Sequence, residues 1–309
     1  MSRLAIVEPK SLMGEAVREL LASQSGTWDE IELFTTDPEE VGAVTQVAGR
    51  AAIVQSLEGD ALESFGTVLF CHRDVDPVLL ESVPGDCTSI VIDPDTPVDD
   101  AIPVVAGINS ESLAGASRIV SPAPGVLLLA HLLAPLRDLE GLEVVAHVLQ
   151  PASALAKASL DELFAQARAI LTMSDAPPNE IFGTQLAFNL LPWAGTSAPL
   201  STHLEAILGD TLEAHIHLSQ AGVFHCCSAA IYLSVGEDPG AAKLQDLILE
   251  NPLVERSESP ELLGPVAAAV SDKILIGEIT PSPVKGYWLW SCMDNLTFSA
   301  RNALSLARP

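Results

Sequence analysis

His225, Cys226 and Cys227 are the most reactive side chains that this sequence sets close together. An imidazole and a thiol two residues apart fall on one face of a strand, where His225 and Cys227 could work as a base and its nucleophile. The competing expectation is a packed, inert pair of thiols, since unpaired cysteines are usually buried as small hydrophobes. His215 and His217 recur at strand spacing too, yet the five cysteines contain no Cys-x-x-Cys pair, so no metal site is expected. A second feature is Ser121-Pro122-Ala123-Pro124-Gly125-Val126, a turn between an apolar strand and a long apolar helix. An enzyme could present a nucleophile there, but the turn offers one serine and no thiol. Pro124 suits a first helical turn, because its missing N–H would have no partner at that position.

The elements around these residues alternate. Short apolar strands are expected at Arg3 to Val7, Ile31 to Phe34, Ala51 to Val54, Thr67 to Cys71, Ser89 to Ile92 and Val104 to Ala106, with an amphipathic helix over Leu12 to Leu21. That order predicts a parallel sheet flanked by helices. After a helix at about Val126 to Arg137 the texture changes: a strand at Leu142 to Leu149, a strongly periodic helix over Lys157 to Leu171, then strands at Leu212 to Leu218, Ser228 to Val235, Ile274 to Ile279 and Tyr287 to Trp290. Asn295 to Ala307 reads as a closing helix. The fold class is α/β: a Rossmann-like parallel-sheet domain over 1–125 and 294–309, and an α+β domain with a mixed, largely antiparallel sheet over 126–293.

The 309 residues carry 15 Lys and Arg against 41 Asp and Glu, a formal net charge of −26. Such a field repels nucleic acid and anionic membranes, so neither is expected as a partner. The longest apolar run, near Val126 to Leu136, contains His131 and falls short of the roughly 20 residues a membrane span needs. The start of the chain lacks a signal peptide's apolar region, and a cytoplasmic protein with reduced thiols is expected.

Five strings, in this order, resemble the aspartate-semialdehyde dehydrogenase family: IVEPKSLMGEAVRELL at 6–21, LQPASALAKASLDEL at 149–163, FGTQLAFNLLPW at 182–193, QAGVFHCCSAA at 220–230 and DNLTFSARNAL at 294–304. FGTQLAFNLLPW is closest to the Usg-type paralogues, which share the fold and lack the full active site. The resemblance implies a dinucleotide-binding domain completed by the C-terminal helix, a second domain that dimerises through its sheet, and a site between the two. It also implies a reaction, the phosphate-dependent oxidation of aspartate semialdehyde, in which a thiolate attacks the aldehyde and hydride passes to NADP.

Residue by residue, the parts of that reaction are missing. The family's nucleophile string, Asn-Pro-Asn-Cys-Ser-Thr, is occupied by Ser121 to Val126, which puts Pro124 at the thiol's place; the remaining thiols, Cys71, Cys87 and Cys292, lie outside it. The family's substrate-gripping arginine and acid-base histidine sit seven residues apart on one strand, and here that spacing carries Gln220 and Cys227. Glutamine can hydrogen-bond a carboxylate but cannot neutralise it. Gln150 alone matches the family's active-site glutamine. The glycine loop, Gly-x-x-Gly-x-x-Gly in the family, reads Glu8, Ser11 and Gly14 at its three positions. Glu8 would bring negative charge to a diphosphate, a like-charge contact that near 4 Å costs about 4 kcal/mol at an effective dielectric of 20. Thr35, Thr36 and Asp37 follow the second strand without an arginine, which favours NAD over NADP if either binds. The expectation is a pseudoenzyme without a bound cofactor, a homodimer through the second-domain sheet that holds an unidentified small molecule or protein. The alternative is an active oxidoreductase with altered chemistry built on His225 and Cys227.

Overall fold

The computed structural model describes residues 2–23, 27–174, 178–193, 198–209 and 212–307. The chain divides into two compact units, Met1–Ala123 with Leu296–Pro309, and Pro124–Asn295.

The first unit contains β1 (Arg3–Val7), α1 (Leu12–Ser23), β2 (Glu30–Thr35), β3 (Val44–Val47), β4 (Arg50–Ser56), β5 (Thr67–Phe70), α2 (Pro77–Glu81), β6 (Thr88–Ile92), β7 (Ile102–Pro103) and β8 (Arg118–Ser121). Its sheet runs in the order β3-β4-β2-β1-β5-β6-β8-β7, parallel except where β3 pairs antiparallel with β4 at the edge. The central strands are apolar on both faces, as a sheet covered on both sides requires. Leu4 and Ile6 of β1 point into a cluster with Val17 and Leu21 of α1, while Ala5 and Val7 point the other way, into one with Phe34, Phe65 and Leu80. Each such leucine or isoleucine contributes about 1.5–3 kcal/mol by leaving water. The C-terminal helix, whose residues Ala300, Ala303, Leu304 and Leu306 enter the first of these clusters, closes this unit.

The expected strand at Val104 to Ala106 is not formed, and the short pairing β7 lies just before it. Side chains compete for its backbone groups: Asn109 Oδ1 accepts from Val105 N at 2.9 Å, Asn302 Oδ1 accepts from Ala106 N at 2.8 Å, and Asn302 Nδ2 donates to Val104 O at 3.0 Å. Asparagines that reach the main chain in this way offer an alternative to a ladder.

The second unit contains α3 (Pro124–Leu133), β9 (Glu143–Gln150), α4 (Lys157–Leu171), β10 (Leu190–Pro192), α5 (Ala198–Leu208), β11 (Glu213–Ala221), β12 (Cys227–Ser234), α6 (Ala241–Ile248), β13 (Val254–Arg256), α7 (Pro265–Ala268), β14 (Ile274–Ile276), β15 (Thr280–Pro281) and β16 (Tyr287–Met293); α8 (Asn295–Leu306) follows and belongs to the first unit from Leu296 on. The order is β10-β11-β9-β12-β16-β14-β13, with β15 beside β16, and only the β9–β11 and β13–β14 pairs are parallel. Alternation is regular in β9, where Val144, Ala146, Val148 and Gln150 are buried while Glu143 and Val145 are exposed. One face therefore packs under α3 and α5, and the other is open. No helix among the described residues is long and apolar enough to cross a membrane.

Candidate functional site

The loop after β1 sits at the carboxyl ends of the central strands, where open parallel sheets bind ligands. Glu8 takes φ 58°, a left-handed backbone that favours glycine and strains other residues. Its N–H donates to Phe34 O at 2.8 Å, which holds the residue against β2. From there the carboxylate reaches the end of that strand: Oε2 accepts from Thr35 Oγ1, and Oε1 from both Thr36 N and Thr36 Oγ1, each at 2.8 Å. Ser11 Oγ lies 2.9 Å from Glu8 O and 2.6 Å from Cys71 O and accepts from Gly14 N at 2.9 Å, so it links the ends of β1 and β5 to the start of α1. Lys10 turns to Glu40, 3.4 Å away.

A dinucleotide diphosphate needs free main-chain N–H groups in this loop. Pro9 has none, Ser11 N donates to Glu8 O at 3.2 Å, and Gly14 N is held by Ser11 Oγ. At the end of β2, where a ribose or its phosphate would be read, the donors of Thr35 and Thr36 already meet Glu8. At Glu8, Pro9, Ser11 and Gly14 the loop therefore offers no free N–H to a diphosphate.

In the second unit, the sheet register places three of the singled-out residues in one row. Gln220 of β11 lies opposite Gln150 of β9, and because Ser228 of β12 lies opposite Leu149, Cys227 enters β12 level with Gln150. Residues level on neighbouring strands share a face. Here it is the helix-covered face. Gln220 Nε2 donates to Gln150 O at 3.0 Å, and the side-chain oxygens of both glutamines are buried and accept no protein hydrogen bond. Pro124 begins α3 and is buried, and the next residue, Gly125, rests on Val148, whose side chain would lie 3.0 Å from an added Cβ. The four positions thus gather at one end of one face. Gln220 and Cys227 are nevertheless on different strands, flanking β9, and not on one. Ser121, the only hydroxyl of the turn, ends β8 with no exposure and accepts from Asn302 Nδ2 at 2.9 Å, so it is a packed residue of the first unit.

Residues 133–298 match the family model described as semialdehyde dehydrogenase, dimerisation domain. The chain belongs to the semialdehyde dehydrogenase family. Over nearly its whole length it is 28% identical to a USG-1 protein homolog of Azotobacter vinelandii, with 98% of this chain and 96% of that one aligned. The fold is that of a probable aspartate-semialdehyde dehydrogenase from Pseudomonas aeruginosa, at TM-score 0.90 and 22% identity over 99% of this chain and 97% of that one. An aspartate-semialdehyde dehydrogenase from Candida albicans, solved with NADP, is more distant at TM-score 0.70 and 14% identity, covering 100% of this chain and 98% of that one.

In this member of the semialdehyde dehydrogenase family, His225 and Cys227 stand in different environments. His225 is exposed in the bend before β12, whereas Cys227 is fully buried at its first position. Period-two alternation fails because Cys226 takes φ 75°, a turn held by its N–H donating to Asn295 Oδ1 at 2.9 Å. Cys226 itself packs with Leu263, Ala268 and Cys292. All five thiols are buried. Burial pushes Cys226 up to about 12 and Cys87 up to about 11, and raises Cys71 and Cys292 as well. At neutral pH Cys226 is thereby held as the thiol. Among the described residues no three His, Cys, Asp or Glu side chains are grouped to hold a metal.

Sequence reasoning missed Glu162 and Gln166, two buried polar residues of α4 whose side chains bind the main chain of residues 178–187. The only signal available was a glutamine on the apolar stripe of a helix.

Proposed function

We propose that this chain is a non-catalytic relative of aspartate-semialdehyde dehydrogenase that serves as a dimeric binding scaffold without a dinucleotide. The observation that carries the reading is Pro124 at the head of α3, where the family's nucleophile string places its thiol. Removing a covalent nucleophile costs on the order of a million-fold in turnover. Gln220 in place of arginine, and a loop in which Pro9 lacks an N–H and those of Glu8, Ser11 and Gly14 are engaged within the chain, support it further. The buried oxygens of Gln150 and Gln220 favour a small ligand that carries hydrogen-bond donors, because each is an acceptor left without a partner. A carboxylate would add acceptors where donors are needed.

Mixed with NADP, phosphate and aspartate semialdehyde, the protein should reduce the cofactor no faster than the protein-free solution. Absorbance of the reduced nicotinamide reads the result. Turnover near ordinary enzyme rates, lost on Cys227→Ala, would overturn the reading.

The dimer is assigned to the open face of the second sheet. Val145 is 48% exposed and Trp288 46% exposed on that face, with the rings of Trp288 and Tyr232 tilted against each other at 5.3 Å between centroids and His147 beside His217 at 5.0 Å. Such apolar area beside polar neighbours is what an interface covers. Light scattering at micromolar concentration should give twice the chain mass, and Trp288→Asp should give the chain mass. A monomeric wild type contradicts the assignment.

A further inference from the structure

We infer that His147 and His217, side by side on the open face of the second sheet, make the dimer sensitive to pH: protonation of this pair in mild acid separates the two copies. The inference rests on the assignment of the dimer to that face and adds what controls it.

His147 of β9 lies level with His217 of β11, and the two rings meet edge to face at 5.0 Å between centroids. His147 is half-buried and His217 exposed. On the other side of β9 the same row continues through Ala230 of β12 and Trp290 of β16, so the pair stands in an otherwise apolar row. Other titratable groups on this face are few. β9 adds Glu143, and β11 adds Glu213 and His215. β12 adds Tyr232, whose hydroxyl donates to Lys285 O, and β16 adds Cys292, whose thiol burial pushes up. β10 adds none. The two glutamates face each other four residues from the pair, about 13 Å at the rise of a strand. That exceeds the roughly 8 Å over which exposed charges act at physiological salt. Glu213 also lies 3.3 Å from His215.

No carboxylate on these strands is thus placed to hold a proton on the pair. His147 Nε2 meets Ser219 Oγ at 2.8 Å, and a hydroxyl serves the ring in either charge state. Burial lowers the His147 pKa, and the neighbouring His217 lowers it further. The second unit carries the family's dimerisation domain, so the occupant of the face is a second copy. In a two-fold interface both copies present the same surface, and covering it encloses both pairs. An imidazolium enclosed there loses water and gains no carboxylate, which disfavours the charged form. Protons therefore bind the separated chains better than the dimer. By linkage the dimer is fully held above the ordinary histidine range and weakens as the pH falls below about 6.5. The overall charge works the other way, because the formal −26 shrinks in acid and eases association. A dimer that weakens in acid therefore singles out the histidines.

Sedimentation equilibrium of the full chain at about pH 8 and about pH 5.5 gives the dimer dissociation constant on either side of this range. For wild type it should be about tenfold or more larger in acid. His147→Gln combined with His217→Gln keeps the row polar and uncharged and should abolish the rise. His203→Gln, on α5 under the opposite face, should leave it. Circular dichroism should be the same at both pH values. Dilution calorimetry near pH 6 in two buffers of different ionisation enthalpy checks the wild type without any variant, and dissociation should take up protons. A constant equal or smaller in acid, a rise that survives in the double variant, dichroism lost at the lower pH, or no proton uptake overturns the inference and leaves the dimer standing. A wild type of single-chain mass at the higher pH sinks the dimer assignment, and this inference with it.

Discussion

Gln166→Ala lowers the free energy of unfolding by about 4 kcal/mol or more. Gln166 is fully buried in α4, and its amide is the hub of a polar knot. Nε2 donates to Pro178 O at 2.8 Å, Thr184 O at 3.1 Å and Glu162 Oε1 at 3.2 Å, while Oε1 accepts from Leu186 N at 2.7 Å and Ala187 N at 2.9 Å. Glu162 adds acceptors for Ile181 N at 2.7 Å and Phe182 N at 3.3 Å. Truncation leaves two buried N–H groups and two carbonyls without partners, at about 1–3 kcal/mol each before water enters. Gln166→Leu, which keeps the volume, should be as damaging, because the loss is of hydrogen bonds and not of packing. Urea denaturation of both variants measures it. A loss below about 1 kcal/mol for either variant would show that the loop holds itself.

The same knot reaches the row of glutamines. The segment it fixes carries Asn189, whose carbonyl accepts from Gly222 N at 3.0 Å, and Leu186, whose carbonyl would lie 2.5 Å from a Cβ on Gly222. Gly222 directly follows β11 and so sets where Gln220 ends. The side chain of Gln166 thereby bears, through the main chain of the segment it holds, on where β11 ends beside Gln220.

That dependence explains what could and could not be read from the amino acids. The parallel sheet was legible because β1, β2, β5 and β6 are apolar on both faces and separated by helix-period or turn-rich segments, and α4 was legible because its apolar residues repeat at helical spacing over 15 positions. The edge strand β3 and the three-residue β10 and β13 carry too few side chains to show a period. Helices α5 and α6 went unread although Leu200, Leu204, Ile207 and Leu208 of α5, and Leu244, Leu247 and Ile248 of α6, stand at helical spacing. The site was legible where a residue type alone excludes chemistry, as proline does at position 124. It was illegible where backbone geometry decides: the alternation that would join His225 to Cys227 breaks at a left-handed cysteine, and nothing in the order of residues says that Glu8 crosses to Thr35 and Thr36.

Gly14→Ala should destabilise the first unit by about 3 kcal/mol or more, through backbone overlap that no rotamer can relieve. A Cβ at this position would overlap Glu8 O and lie 2.7 Å from both Cα and C of Pro9, all main-chain atoms. Neither side can yield cheaply. Glu8 is tied to β2 by its N–H and by its carboxylate, and α1 is tied down by Val17 and Leu21 in the core. In a phosphate-binding loop the three glycines have separate jobs: a tight turn, close approach of the ligand, and close packing of helix on strand. This chain has replaced the first two positions with Glu8 and Ser11 and kept the third, the one whose reason is packing and needs no ligand. Urea denaturation followed by a first-unit probe such as Trp28 fluorescence measures the loss, and Ser11→Gly, which removes a hydroxyl cross-link without overlap, should cost only about 1 kcal/mol. Equal losses for the two variants would mean that Gly14 is not retained for packing.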